Sequence, residues 1–362
     1  ASDGTCTANI TNNLSNRNLL HNGSFIIHQR GGTTTTSGFL LDRWYVSASG
    51  GTATFSQGTE TSGTVYEKGL VNYHRITNTA NSTAAGAYRY VRQAIEAQNL
   101  LKSGWNYKSA SAKITLSFYV RSSVAQNFYG YLRLSDSPDS KYIFETGSLS
   151  ADTWTKVTKV IPGYTSANIN NDNGAGMQVL IAPFWGTNYT ASGTALNTWA
   201  AFASGERAPD YATTWAGTNG ATFDITGVQL EVGSVATDFE HRTFHDELHR
   251  CFRYYYEIAP PVAESLIGDS LNYDTMDHMT LRFPVEMRVE PSFICSDFSN
   301  AFRIYGSSGG RNVNTLTVNT GVGSTKAIII ECAGGTNGSQ SFMRIYNANS
   351  GVYATIAASA EL

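Results

Sequence analysis

The segment Lys113–Arg121 (KITLSFYVR) constrains the fold more than any other. Ile114, Leu116, Phe118 and Val120 share one parity; Lys113, Thr115, Ser117, Tyr119 and Arg121 share the other. Side chains of an extended chain alternate between faces, so this segment predicts a strand with one face in a core and the other toward water. Such strands build two-sheet sandwiches. A second strand is predicted over Phe223–Val232, where Phe223 and Ile225 share one parity and Val228, Leu230 and Val232 the opposite one. The slip at Thr226-Gly227 reads as a β-bulge, with glycine absorbing the unusual backbone angle. Shorter strands are expected at Phe25–Gln29, Trp44–Ala48, Val65–Arg75, Gly130–Leu134 and Met177–Pro183, between Gly- and Thr-rich connections. The 34 Gly, 20 Tyr, 17 Phe and 6 Trp fit half-buried pleated surfaces joined by turns. The expected fold is therefore all-β, a jelly-roll β-sandwich. No repeat of fixed period supports a propeller or β-helix.

One segment breaks the pattern. Phe239–Tyr254 lacks Gly and Pro, and Phe244, Leu248, Cys251 and Phe252 fall on one helical face before Pro260-Pro261 stops the run. The expected organisation is an N-terminal arm (1–17), a jelly-roll domain (18–240), a connecting helix (241–256) and a smaller C-terminal β domain (257–362). In the last, Leu281–Arg288, Thr315–Asn319 and Ala327–Cys332 read as strands. Met343/Ile345 and Val352/Ala354/Ile356 read as two limbs of a hairpin turning through Asn347–Gly351. Ile328-Ile329-Ile330 and this hairpin look like apolar edges that need a partner, which predicts a homotrimer.

Several classes are excluded or unsupported. With 15% charged residues and a net charge of −3 there is no basic stripe for nucleic acid. No apolar run approaches the roughly 18 residues of a membrane helix, and the start Ala1-Ser2-Asp3-Gly4-Thr5 has no signal-peptide character. The sequons at Asn81 and Asn188 are what a Thr- and Asn-rich chain contains by chance. Cys6, Cys251, Cys295 and Cys332 are too widely spaced for a zinc or redox motif and read as small buried hydrophobes.

Three stretches together resemble a family of bacteriophage virion proteins. Asn18-Leu19-Leu20-His21-Asn22-Gly23-Ser24-Phe25-Ile26-Ile27-His28-Gln29-Arg30-Gly31, followed by Asp42-Arg43-Trp44, resembles the opening of many tail-fibre and appendage domains. Ile114–Arg121 resembles the family's central strand. Ile225-Thr226-Gly227-Val228-Gln229-Leu230-Glu231-Val232-Gly233 through Phe239-Glu240-His241-Arg242 resembles its closing signature. His28 departs where tryptophan is frequent, and Asp238 where proline is. The resemblance spans roughly Asn18–Tyr256 and grows weaker over the C-terminal third. It implies a jelly roll similar to carbohydrate-binding modules, on the exterior of a phage particle, in a fibre or appendage that is often trimeric.

Candidate chemistry is sparse. His241, His245 and His249 are spaced to stack on a helix, yet no HExxH pattern accompanies them, so a polar helix side is preferred to a metal site. Asn168–Gly174 only faintly echoes a calcium loop: its glycine is one residue late and Val179 stands where glutamate is needed. Asp136, Asp139, Asp152, Asp172 and Asp210 lie in loops without a catalytic motif, and nucleophile, P-loop and dinucleotide signatures are absent. No cofactor or metal is expected, and the chain is read as non-enzymatic.

Aromatic residues in polar loops carry the functional expectation, because flat Tyr and Trp faces stack on sugar rings beside Asn, Asp and Arg. The candidate glycan contacts are Trp105, Trp185, Asn188, Tyr189, Trp199, Arg207, Asp210 and Trp215, with burial in the sandwich or a subunit interface as the competing reading. Trp44 and Trp154 are expected in the core. The leading function is a tail-fibre or appendage subunit binding host-surface polysaccharide and other virion proteins. A capsid decoration, knob or adaptor protein comes second, and a depolymerase third.

Overall fold

The computed structural model describes residues 16–259, 266–273, 276–295, 302–306, 309–313, 315–318, 323–333, 341–345 and 355–362. The chain forms two compact units, Ala1–Thr243 and Phe244–Leu362. The first unit holds β1 (Thr33–Thr34), β2 (Gly38–Phe39), β3 (Tyr45–Ser49), β4 (Thr52–Thr59), β5 (Asn72–Ala80) and β6 (Tyr88–Glu96). Then come α1 (Ala97–Leu101), β7 (Lys113–Ser122), β8 (Asn127–Leu134), β9 (Ser140–Ser148), β10 (Thr155–Pro162), β11 (Ala175–Trp185), β12 (Trp199–Ala201), α2 (Thr214–Gly217) and β13 (Thr222–Val232). A six-stranded sheet, β1-β4-β5-β13-β7-β10, faces a seven-stranded sheet, β12-β9-β8-β11-β6-β3-β2. Neighbouring strands run antiparallel. This is the all-β jelly-roll sandwich that the strand pattern predicts.

The two sheets meet through large rings. Phe118 of β7 packs on Phe144 of β9 with centroids 6.1 Å apart, and Phe128 of β8 on Phe223 of β13 at 4.9 Å. Ile114, Leu116, Phe118 and Val120 are fully buried, as their parity requires. The other face of β7 is drier than expected, because Val65, Leu70 and Phe239 form a satellite cluster with Tyr119. Trp44 is fully buried; Trp154 is half-buried and joins that satellite.

The bulge lies where the phase slips. Phe223–Thr226 pair with Ser122–Tyr119, and pairing resumes with Gln229–Val232 opposite Ser117–Ile114. Gly227 has φ 61°, and a Cβ there would lie 2.7 Å from Leu70 Cδ1. Before the bulge β13 pairs with β5 over Thr222–Ile225. After it, the opening segment takes that place. Leu19 N donates to Leu230 O (2.8 Å), Val228 N to Gly23 O (2.9 Å), Asn18 Nδ2 to Val228 O (3.0 Å) and Leu230 N to Asn18 Oδ1 (3.0 Å). A Cβ on Gly23 would stand 2.1 Å from Val228 O. Glu240 accepts from Asn18 N (2.9 Å), and Arg242 donates to Asn18 O (2.7 Å) while pairing with Glu240 (2.9 Å). The opening and closing sequence motifs thus form one clasp.

Some segments differ from expectation. Phe25–Gln29 is not a strand: Asn22 and Phe25 have φ 53° and 57°, and the Asn22 side chain bonds Ile27 and Asp42 in place of a neighbouring strand. Within Val65–Arg75, Tyr66–Lys68 form a 3₁₀ turn ended by left-handed Gly69. The strand begins only at Asn72.

The second unit opens with α3 (Phe244–Phe252), then β14 (Tyr255–Ala259), β15 (Leu266–Tyr273), β16 (Met276–Arg282), β17 (Ser292–Cys295), β18 (Phe302–Gly306) and β19 (Gly309–Asn312). β20 (Thr315–Val318), β21 (Ala327–Ala333), β22 (Ser341–Ile345) and β23 (Ile356–Ser359) complete it. Its sheets are β14-β23-β17 and β19-β18-β22-β15-β16-β21-β20. The helix starts later than predicted because Glu240 and Arg242 are held by the clasp. On it Cys251 is buried but Phe244 is 54% exposed, so the apolar face is shorter than the spacing suggested. The predicted strand Leu281–Arg288 ends at Arg282. Ile328-Ile329-Ile330 is no edge, since β21 lies between β16 and β20; the physical reason for a trimer in that triplet is therefore removed. The expected hairpin is also corrected: Met343 and Ile345 pair with β15 and β18, whereas Ile356 pairs with β14 and β17. Its turn, 347–351, lies outside the described residues, as do Cys6 and most of the expected arm. Cys332 is buried, and burial pushes its thiol up to about 12.

His74 of β5 is fully buried between Phe25 (5.7 Å) and Phe55 (6.2 Å), and neither ring nitrogen has a partner among the described residues. Burial lowers its pKa from 6.5 to about 3. The unfolded chain therefore takes up this proton first, and stability is full above pH 6.5 and falls as the pH drops toward 3. Between pH 6.5 and 5 the loss should be about 2 kcal/mol. Denaturant titrations of wild type and His74→Leu check this: the variant should lose that slope, and an unchanged slope refutes the assignment. Gly227→Ala should cost roughly 2–4 kcal/mol, from the left-handed backbone plus the Leu70 contact.

Candidate functional site

The outer face of the seven-stranded sheet gathers the functional groups. β6 reads Tyr-Arg-Tyr-Val-Arg-Gln, so Tyr88, Tyr90 and Arg92 point away from the core while Arg89, Val91 and Gln93 are buried. Register carries the pattern across the sheet. Phe39 pairs with Tyr45, Tyr45 with Arg92, Arg92 with Leu180, Leu180 with Tyr131 and Tyr131 with Ile143. Strands spaced about 4.8 Å apart make this row about 24 Å long.

The rings form a continuous ladder. Tyr90 stacks on Trp185 (5.1 Å, 25°) and on Tyr45 (6.4 Å, 29°), and Tyr88 touches Trp185 (5.3 Å) and Tyr189 (5.5 Å). Guanidinium groups lie over the rings. Arg92 covers Tyr45 at 4.7 Å, Arg207 covers Trp185 at 4.6 Å and Tyr189 at 4.9 Å, and Arg133 covers Phe202 at 3.8 Å. Burial pushes the Tyr131 phenol up to about 12, opposed by Arg207, Arg133 and Arg92. Burial also raises Tyr90. Both phenols therefore remain O–H donors at neutral pH.

The carboxylates here are engaged. Asp139 takes a two-pronged bond from Arg133 (2.9 and 2.5 Å), Glu145 accepts from Asn127 (2.8 Å), and Asp210 accepts from Thr190 (2.6 Å). Lys141 bonds the Glu206 carbonyl and lies 3.7 Å from its carboxylate.

No family model matches the chain, and no curated protein matches it. Several solved structures are similar. The enzymatically active domain of tailspike protein 4 of bacteriophage CBA120 is 10% identical over 60% of this chain, with a TM-score of 0.33; the chain spans 21% of it. The family 11 carbohydrate-binding module of Clostridium thermocellum is 12% identical, with 57% of this chain and 99% of the module covered and a TM-score of 0.27. The N-terminal cellulose-binding domain of Cellulomonas fimi glucanase C is 13% identical, with 57% and 97% covered and a TM-score of 0.28.

Of the residues singled out from sequence, Trp185, Tyr189 and Arg207 come together on this face, and Asn188 lies exposed beside them. Trp185 is only 2% exposed, so it is the ladder's foundation and not its contact surface. Asp210 sits on the same long connection. Trp199 is elsewhere: it stacks on Tyr164 (5.7 Å, 14°) and donates to Pro162 O (2.7 Å). Trp105 and Trp215 are 3% and 0% exposed, and the Trp215 indole donates to Thr222 O (3.0 Å). Neither offers a ring face, so the ligand role expected of them is withdrawn.

Sequence reading missed Tyr45, Tyr88, Tyr90, Arg92, Arg133 and Phe202. The alternation of Tyr88, Tyr90 and Arg92 was the available signal. The three histidines do not stack, because His241 precedes α3 and contacts the Lys68 carbonyl (2.8 Å). No group of three or more potential metal ligands occurs among the described residues. The loop at Asn168–Gly174 is held by protein contacts: Asn170 bonds Asp136 through its backbone and side chain (both 2.8 Å), and Gly174 N donates to Asp172 (2.9 Å). No helix among the described residues is long and apolar enough to cross a membrane.

Because Trp185 anchors the ladder, Trp185→Ala should destabilise the unit by about 3–5 kcal/mol. Half-buried Tyr45→Ala should cost much less, about 1 kcal/mol. Parallel unfolding curves check the contrast.

Proposed function

We propose that this protein binds polysaccharide along the outer face of its seven-stranded sheet, as a subunit on the exterior of a phage particle, in a tail fibre or similar appendage. The observation that carries the binding reading is the ladder of half-buried Tyr45, Tyr88, Tyr90 and Tyr189, bordered by arginine donors. Flat rings offer sugars their apolar faces, and hydroxyl and guanidinium groups at the edges suit hydroxyl-rich ligands. Strands hold Tyr45, Tyr88 and Tyr90 with little freedom to lose on binding. The reading is of a binding protein and not a hydrolase, because the carboxylates on this face are already bonded to protein groups.

The virion assignment rests on the opening, central and closing sequence motifs. Their residues build the clasp and the bulged strand, so the resemblance lies in the parts that specify the sandwich.

Binding of host-surface polysaccharide by the purified chain is the direct test. Tyr90→Ala and Tyr45→Ala should each weaken it about tenfold, equivalent to about 1.4 kcal/mol. No binding to any host-surface preparation defeats the reading, and a particle image placing the chain at the capsid or neck defeats the fibre assignment. The trimer implied by the resemblance predicts a trimeric mass in sedimentation analysis, which a monomer at micromolar concentration contradicts.

A further inference from the structure

We propose that the ligand of this face is an acidic polysaccharide whose carboxylates are bound by Arg92 and Arg207. The inference rests on the binding reading above and adds the substrate class. Both guanidinium groups lie over rings, Arg92 over Tyr45 and Arg207 over Trp185 and Tyr189. Stacking occupies a guanidinium's face and leaves the N–H donors around its edge. Among the described residues the Arg92 side chain makes no hydrogen bond or ion pair, and the Arg207 side chain donates only from its Nε, to Ser204 O (3.1 Å). Their neighbour differs: Arg133 is spent on Asp139.

Position strengthens the argument. Arg92 and Tyr131 stand on the same row, each beside Leu180, and Arg207 and Arg92 both act electrostatically on the Tyr131 hydroxyl. Glu145 and Asp210 act instead on Tyr129. The face is thus polarised, with Glu145 and Asp210 toward Tyr129 and Arg92 and Arg207, beside the Asp139-paired Arg133, around Tyr131. Pre-set forks of this kind match carboxylates through paired, charge-assisted hydrogen bonds. Neutral sugars accept bonds from the same donors but lack the opposite charge that a carboxylate adds to a two-pronged pairing.

The test uses the full chain against a panel of acidic and neutral glycans that includes polygalacturonate and its fully methyl-esterified form. These two share a backbone and differ in charge. The expected result is binding concentrated among carboxylate-bearing members and weakened by salt. Arg92→Gln and Arg207→Gln should each weaken it roughly ten- to a hundredfold. Arg207→Gln also uncovers Trp185, so its melting temperature is measured alongside; Arg92→Gln, whose side chain makes no hydrogen bond or ion pair among the described residues, keeps the test valid if that variant is unstable. Binding confined to neutral members, or equal for acid and ester, overturns this inference and leaves the glycan reading standing. Binding to no member defeats both.

Discussion

The sandwich depends on the slip in β13. Up to Ile225 this strand is flanked by β5, and from Val228 onward by the opening segment, with β7 on its other side throughout. A regular strand could not serve both neighbours, because its hydrogen-bonding edge would continue along β5. One extra residue rotates the edge, and only glycine tolerates φ 61° with Leu70 lying where a Cβ would go. Asn18 then supplies both a donor and an acceptor from one amide, so it closes the gap as a further strand would.

What the sequence made legible follows from what alternation can encode. The two faces of β7 and the phase change in β13 are statements about neighbouring residues, and both are found in the structure. Phe25–Gln29 misled because Phe25 and Ile27 are buried while the Asn22 side chain, not a neighbouring strand, bonds the Ile27 backbone. No parity rule registers that. Ile328–Ile330 reads as an exposed edge because the triplet itself does not say that β16, far back in the sequence, and β20, just before it, flank it on both sides.

The outer face of the seven-stranded sheet shows the same limit. Trp215 looks like a loop tryptophan beside polar residues, yet Gln126 and Thr222 receive it into the core. Trp185 is shielded by Tyr189, just past the end of β11, and by Arg207, which lies beyond β12; neither sits in a strand or helix. The accessible rings sit on strands, where composition gives no special signal and only register across the sheet brings Tyr45 beside Arg92. Side chains on strands are preset, whereas those on the long connections are fixed by packing against them.

The clasp has a consequence for how such a unit can be used. Arg17 reaches the Asp238 carbonyl (3.2 Å), and Asn18 is bonded to both Glu240 and Arg242, so the backbone comes in and goes out at one spot. A module whose two ends touch can be spliced into a surface loop of another protein without prying that loop apart. It can equally be exchanged between proteins while its own hydrogen bonds stay intact. The sandwich is built as a cassette, and variation in its exposed face need not disturb whatever carries it.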